Sequence, residues 1–112
     1  MENMVKIKAL SINDAWQGRR YKTPRYTKYA EEVGLLLLTK HKPTIESAHI
    51  SIHYKFYISN MRGDVDNFIK AFQDILFKWL GIDDSRIHRL TAEKIKCKKG
   101  EEKIEWDIQE VH

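Results

Sequence analysis

Four aspartates bracket one short stretch of this sequence. Asp64 and Asp66 stand two residues apart in Gly63-Asp64-Val65-Asp66-Asn67-Phe68-Ile69-Lys70, and Asp83 and Asp84 are adjacent in Gly81-Ile82-Asp83-Asp84-Ser85. Two carboxylates at a strand-to-helix junction can lean toward one point, where they offer the hard oxygen ligands that Mg²⁺ prefers. With no cation between them they would repel. Lys70 follows Asp66 by four residues, about 40° round a helix, so its ammonium can reach back over the acidic pair. Each group also has a plainer use. Asp64 or Asp66 serves equally as a helix N-cap, Asp66 and Lys70 as a surface ion pair, and Asp83-Asp84 as turn residues after a capping glycine.

The elements that must position these groups are legible in the periodicity. Val5 to Leu10 alternates with period two and predicts a first strand. Residues 11–26 show no period and read as a loop in which Arg19, Arg20, Lys22 and Arg25 are interleaved with Trp16, Tyr21 and Tyr26. A helix is expected from about Thr27, as its cap, to the Lys40-His41-Lys42-Pro43 region, with Tyr29, Val33, Leu36 and Leu37 along one face. Ala48 to Ile58 alternates most cleanly, placing Ile50, Ile52, Tyr54, Phe56 and Ile58 on one side and His49, Ser51, His53, Lys55 and Tyr57 on the other. A second helix is indicated from about Val65 to Leu80, ended by Gly81, with Phe68, Phe72, Ile75, Leu76 and Trp79 on its apolar arc. Two more strands, about Arg86 to Lys96 and Lys103 to Val111, flank the turn Lys98-Lys99-Gly100-Glu101. The order β-α-β-α-β-β predicts one α/β two-layer domain over residues 1–112, a mixed sheet with two main helices.

Composition sets the bounds. With 112 residues the chain makes one domain, and at 42% apolar residues it can build a core that a dimer interface would supplement. The net charge of +4 with 11% aromatic residues suits an anionic partner. No apolar run is long enough for a membrane span or a signal peptide, so a cytoplasmic protein is expected. The single cysteine, Cys97, is expected to be a buried filler. The histidines provide no metal site: His49 and His53 share a strand face without a third ligand. The basic run Lys94 to Lys99 reads as the solvated face of a hairpin. No G-x-x-x-x-G-K motif is present, so no nucleotide cofactor is expected.

The segments Gly63 to Lys70 and Gly81 to Ser85 resemble the D-x-D-N-x-x-K and later D-D signature of the RusA family of Holliday junction resolvases. The Ser11-Ile12-Asn13 segment, the basic aromatic loop, the long strand before the acids and the closing strands also follow that family's order. The resemblance implies a homodimeric, Mg²⁺-dependent endonuclease that places paired nicks across a four-way DNA junction and leaves 5′-phosphates. It assigns Asp64, Asp66 and Asp84 as the essential acids holding Mg²⁺, Asp83 as an accessory acid, and Lys70 as the essential lysine. Such a set can activate water and neutralise charge on the scissile phosphate. DNA contact is then expected from Arg19, Arg20, Lys22, Arg25 and Arg62, with Tyr21 as a stacking residue. In this sequence Arg62 alone supplies the basic charge directly before the first aspartate.

A helix of about 15 residues puts roughly 22 Å between Asp66 and the loop carrying Asp84. Either the chain doubles back after that helix or a two-fold dimer brings the second pair from a partner. Two other functions remain open on sequence alone: a branched-DNA-binding module without catalysis, and a small homodimeric interaction protein.

Overall fold

The strand His49–Ile58, β4, is central to the molecule, and every second side chain along it from Ile50 to Ile58 is buried. The computed structural model describes residues 3–10, 16–17 and 21–111, with 16–17 and 21–22 as backbone only. The strands are β1 (Met4–Val5), β2 (Trp16–Gln17), β3 (Tyr21–Lys22), β4, β5 (Ile87–Lys96) and β6 (Lys103–Val111). The helices are α1 (Pro24–Leu38) and α2 (Val65–Leu80), and Asp84–Arg86 forms one 3₁₀ turn. The main sheet has the order β1-β6-β4-β5, with β4 parallel to β5 and antiparallel to β6, while β2 and β3 pair separately. This is the expected mixed sheet with two helices in the order β-α-β-α-β-β. Among the described residues, no helix is long and apolar enough to cross a membrane.

Both helices lie on the face of the sheet that carries Ile50 to Ile58. From α1 come Tyr26, Tyr29, Val33 and Leu37; from α2 come Phe68, Ile69, Ala71, Phe72, Leu76, Phe77 and Leu80. Aromatic contacts fix α2 along β4. The Phe68 ring lies 5.7 Å from that of Phe56, and Phe72 packs edge-on to Tyr54 at 6.1 Å and tilted against Trp106 at 5.5 Å. Each fully buried side chain of this kind contributes about 1.5–3 kcal/mol. No polar or charged residue among those described is buried as a whole. The opposite sheet face is wet, as expected for His49 and His53, and there the His53 ring meets Thr91 and Glu93.

Several boundaries differ from the sequence expectation for physical reasons. The first strand ends at Val5 instead of Leu10. Val5 already pairs with Ile104, beside the first residue of β6, so the antiparallel chain beyond it has run out of partner. Helix α1 begins one turn earlier than Thr27, because Thr23 accepts a hydrogen bond from the Tyr26 N–H at 3.2 Å and Pro24 takes the first helical position. It ends at Leu38 with Thr39 as its cap, so the cations from Lys40 onward follow the helix. Residues 11–26 are not all loop, since they include the β2–β3 pair and the start of α1. The two closing strands do not pair with each other: β4 lies between them. Cys97 is half-buried beyond the end of β5, where partial desolvation, then Glu102 and Glu101, push its thiol pKa up.

Two glycines respond oppositely to this architecture. Gly63, at φ +90°, holds a left-handed turn after β4, where an added Cβ would meet the Phe68 ring at 3.1 Å. Gly34 lies within α1 with nothing within 4 Å of an added Cβ. Urea denaturation is expected to show Gly34→Ala stabilised by about 0.5–1 kcal/mol and Gly63→Ala destabilised by about 1–2 kcal/mol or more.

Candidate active site

Helix α2 begins at Val65 because Gly63 turns the chain and Asp64 takes the N-cap position in an extended conformation, with φ −85° and ψ 139°. Its carboxylate makes no capping hydrogen bond, and the Asn67 N–H reaches the Asp64 backbone carbonyl at 3.1 Å instead. An N-cap aspartate normally accepts an amide from the first turn. The Asp64 carboxylate is therefore available to something else, at the helix end whose dipole favours anions. Asp66 is exposed in the first turn and Lys70 is exposed one turn later. The structure forms no ion pair between them and gives neither side chain a hydrogen-bond partner among the described residues. Both plain uses suggested for these groups, side-chain capping by Asp64 and the surface pair, are therefore missing.

Asp66, Lys70 and Gln73 stand at i, i+4 and i+7, on one face of α2. Gln73 Nε2 donates to Asp84 Oδ2 at 3.4 Å, and the hydroxyl of Tyr54 donates to Gln73 Oε1 at 2.9 Å. Burial, then the charges of Asp84 and Asp74, push the Tyr54 pKa far up, which keeps this hydroxyl protonated as a donor. The chain thus doubles back after Gly81, whose left-handed φ of +74° turns it, and carries Asp84 alongside the middle of α2. Asp84 meets the helix at Gln73, seven residues or about 10 Å along the axis from Asp66. Asp83 is differently employed. Its Oδ1 accepts the Ser85 N–H at 2.8 Å, capping the 3₁₀ turn, and this backbone bond and the Ser85 side chain hold its carboxyl below the usual range.

Among the described residues, no three His, Cys, Asp or Glu side chains come close enough to hold a metal ion. Asp64 and Asp66 nevertheless suit Mg²⁺, which binds through one or two carboxylates and takes its remaining ligands from water and substrate phosphates. Asp64 as N-cap and Asp66 and Lys70 within the first two turns all fall at the head of α2, and Asp84 meets the helix further along, at Gln73. Arg62 and Arg25 line a neighbouring cleft. Of the other expected DNA contacts, Arg19 and Arg20 lie outside the described residues. Tyr21 and Lys22 form β3 as backbone.

Sequence reasoning missed what holds the turn before the acids. Lys94 Nζ donates to the carbonyls of Met61 and Gly63, both at 2.9 Å, and Lys96 Nζ donates to the carbonyl of Ser59. Asn60 Oδ1 accepts the Arg62 N–H at 3.1 Å. These lysines clamp residues 59–63 from β5 instead of forming a solvated hairpin face. Lysines at alternate strand positions look solvated in sequence, and the parallel register of β5 against β4 alone reveals their targets. Gln73 was missed too, although its i+7 spacing from Asp66 was visible.

The family model for endodeoxyribonuclease RusA matches residues 8–109. No curated protein matches the chain.

Replacing Lys94 by Met is expected to free the 59–63 turn while the core persists. Hydrogen exchange should then speed up about fivefold at the Arg62 and Asn67 amides, which donate to Asn60 Oδ1 and to the Asp64 carbonyl, corresponding to about 1 kcal/mol of lost local protection. Unchanged exchange at those amides would show that Lys94 does not hold the turn.

Proposed function

The chain belongs to the RusA endodeoxyribonuclease family, and on that footing we propose that it is a Mg²⁺-dependent homodimer that resolves four-way DNA junctions by paired symmetric nicks. Enzymes of this family act on branched DNA and are generally dependent on divalent metals. The observation that carries the reading is the pair of carboxylates, Asp64 and Asp66, at the head of α2, which like Lys70 one turn on have no side-chain partner among the described residues.

Asp64 and Asp66 would hold the ion, with Asp84 as the third acid of the set. Bound there, Mg²⁺ would supply Lewis-acid polarisation of the scissile phosphate. Lys70 places a positive charge between the two acidic positions, where it can stabilise the non-bridging oxygens as negative charge develops. Attack of water on phosphorus breaks the bond to the 3′-oxygen and yields a 5′-phosphate and a 3′-hydroxyl. Gln73, anchored by Tyr54, fixes the direction in which the Asp84 carboxylate faces. Arg25 and Arg62, with Arg19, Arg20, Lys22 and Tyr21 from the preceding segment, are assigned to the DNA backbone and to stacking.

The dimer is assigned to the groove between α1 and α2. Leu35 and Leu38 are 67% and 73% exposed there, beside the half-buried Ile75 and Trp79. Glu31 and Asp74 flank this apolar strip on one side of the charge balance and Lys78 on the other, so two-fold pairing can bring Lys78 of each copy to the acids of its partner. A cytoplasmic location fits an enzyme acting on cellular or phage DNA.

A labelled four-way junction incubated beside linear duplex is expected to be nicked symmetrically, on the junction alone and only with Mg²⁺. Asp66→Asn should cut at least about 100-fold more slowly while keeping its junction affinity, as expected when charge stabilisation in the transition state is lost. Full activity of that variant would remove Asp66 from the site. Leu38→Glu is expected to sediment as a monomer and to make uncoordinated single nicks; a dimer that persists would move the interface elsewhere.

A further inference from the structure

A cleft of about 720 Å³ opens beside the acids, within the range of about 300–1,000 Å³ typical of small-molecule sites. Among the described residues, its walls come from the chain before Leu10, the first turns of α1, and the end of β4 through Arg62 and Gly63. Asp64 is the next residue, so the cleft and the candidate metal ligands share one turn. Its chemistry is divided. Lys8, Arg25, Lys28 and Arg62 line it with Glu32 as the opposing acid, whereas Leu10, Tyr29, Ile58 and Phe68 give it an apolar floor. All four floor residues are buried in the core. The Tyr29 hydroxyl, which faces the Leu10 backbone, is the buried side-chain polar atom that lacks a hydrogen bond of normal geometry among the described residues.

Phosphate grip alone needs cations on a surface and has no use for an aromatic floor beneath them. An aromatic and aliphatic floor under a cationic rim matches a nucleobase joined to its phosphates. A base inside a continuous duplex is stacked and paired, so it enters only at the full cost of unpairing and unstacking. A base at a branch point has lost part of its stacking and leaves the helix at lower cost. We propose that this cleft takes one unpaired nucleotide from the branch point, its base on the Tyr29 and Phe68 floor and its flanking phosphates among Lys8, Arg25, Lys28 and Arg62. The inference rests on the junction-nuclease reading and deepens it. A nucleotide seated here fixes which neighbouring phosphodiester reaches Asp64 and Asp66, so the cleft sets the cleavage register.

Wild-type protein in EDTA provides the test, with four-way junctions in which each branch-point nucleotide in turn is replaced by an abasic residue. A matched junction carries the abasic residue well inside one arm. If the branch-point bases merely have to move aside, deleting one removes an unstacking cost and binding stays equal or tightens. If one is held in the cleft, deleting it costs about tenfold in affinity at that position, in keeping with base–aromatic stacking, and nothing in the arm. Ala9→Phe, which places a ring in the cleft where the base would lie, is expected to bind the intact junction about tenfold more weakly and to be indifferent to the abasic change. The wild-type comparison stands whether or not that variant folds. Equal or tighter binding at every branch position overturns the cleft assignment while intact junctions are still bound and, with Mg²⁺, cut. Failure to bind the intact junction overturns the junction-nuclease reading and the cleft assignment with it.

Discussion

The registry of α2 over β4 is the constraint on which the rest depends. Phe68 on Phe56, and Phe72 between Tyr54 and Trp106, fix both the position and the rotation of the helix. With those side chains inward, Asp66 and Lys70 must face outward, because helical geometry leaves them no other side. The position fixes the helix start just beyond the carboxyl end of β4. In sheets with parallel crossovers that is the end where ligands are bound, since the loops there diverge and leave a crevice. Asp64, Asp66 and the cleft lie at that end, whereas Asp84 stands just before β5, whose first residue pairs with Ile50 near the start of β4.

The same registry reaches Asp84 through a polar chain. Tyr54 is buried within the aromatic set, yet its hydroxyl leaves the core to meet Gln73, and Gln73 in turn meets Asp84. Its ring thus serves the core and its hydroxyl serves the surface. This is how a core without any wholly buried polar residue can still orient an exposed carboxylate two helical turns from the first acids. The doubling back after Gly81 supplies the other half of that placement. It shortens the separation that a 16-residue helix imposes without closing it, because Asp84 meets the helix at Gln73, about 10 Å along the axis from Asp66.

Much of this was legible in the sequence where the determinants were local. Helix α2 matches its expected span, since the Phe68-Phe72-Leu76 stripe and Gly81 act within a few residues of one another. The alternation of β4 is equally local, and so is the placing of Asp64 and Asp66 at a strand-to-helix junction. Non-local pairing was not legible. The insertion of β4 between β5 and β6 depends on which strands find each other, and the short β1 depends on where β6 begins. Lys94 and Lys96 looked solvated because their carbonyl partners lie more than thirty residues earlier in the chain. The start of α1 was a local signal passed over: a threonine followed by proline is as good a beginning as the Thr27 expected.

Phe68 is where core, acids and cleft meet. Its ring packs on Phe56, lies 3.1 Å from where a Cβ on Gly63 would stand, and forms part of the cleft floor. A larger residue at position 63 would press on that ring, and a smaller one at position 68 would leave the turn without its support. The left-handed glycine therefore belongs to the packing of the core as much as to the path of the chain. Lys94 holds the same turn from the β5 side through two carbonyls. The turn is thus gripped between an aromatic ring and an ammonium group, which allows exposed carboxylates on a surface segment to keep a fixed position without being buried. Carboxylates that remain hydrated until substrate arrives avoid the desolvation cost of a buried acidic pair.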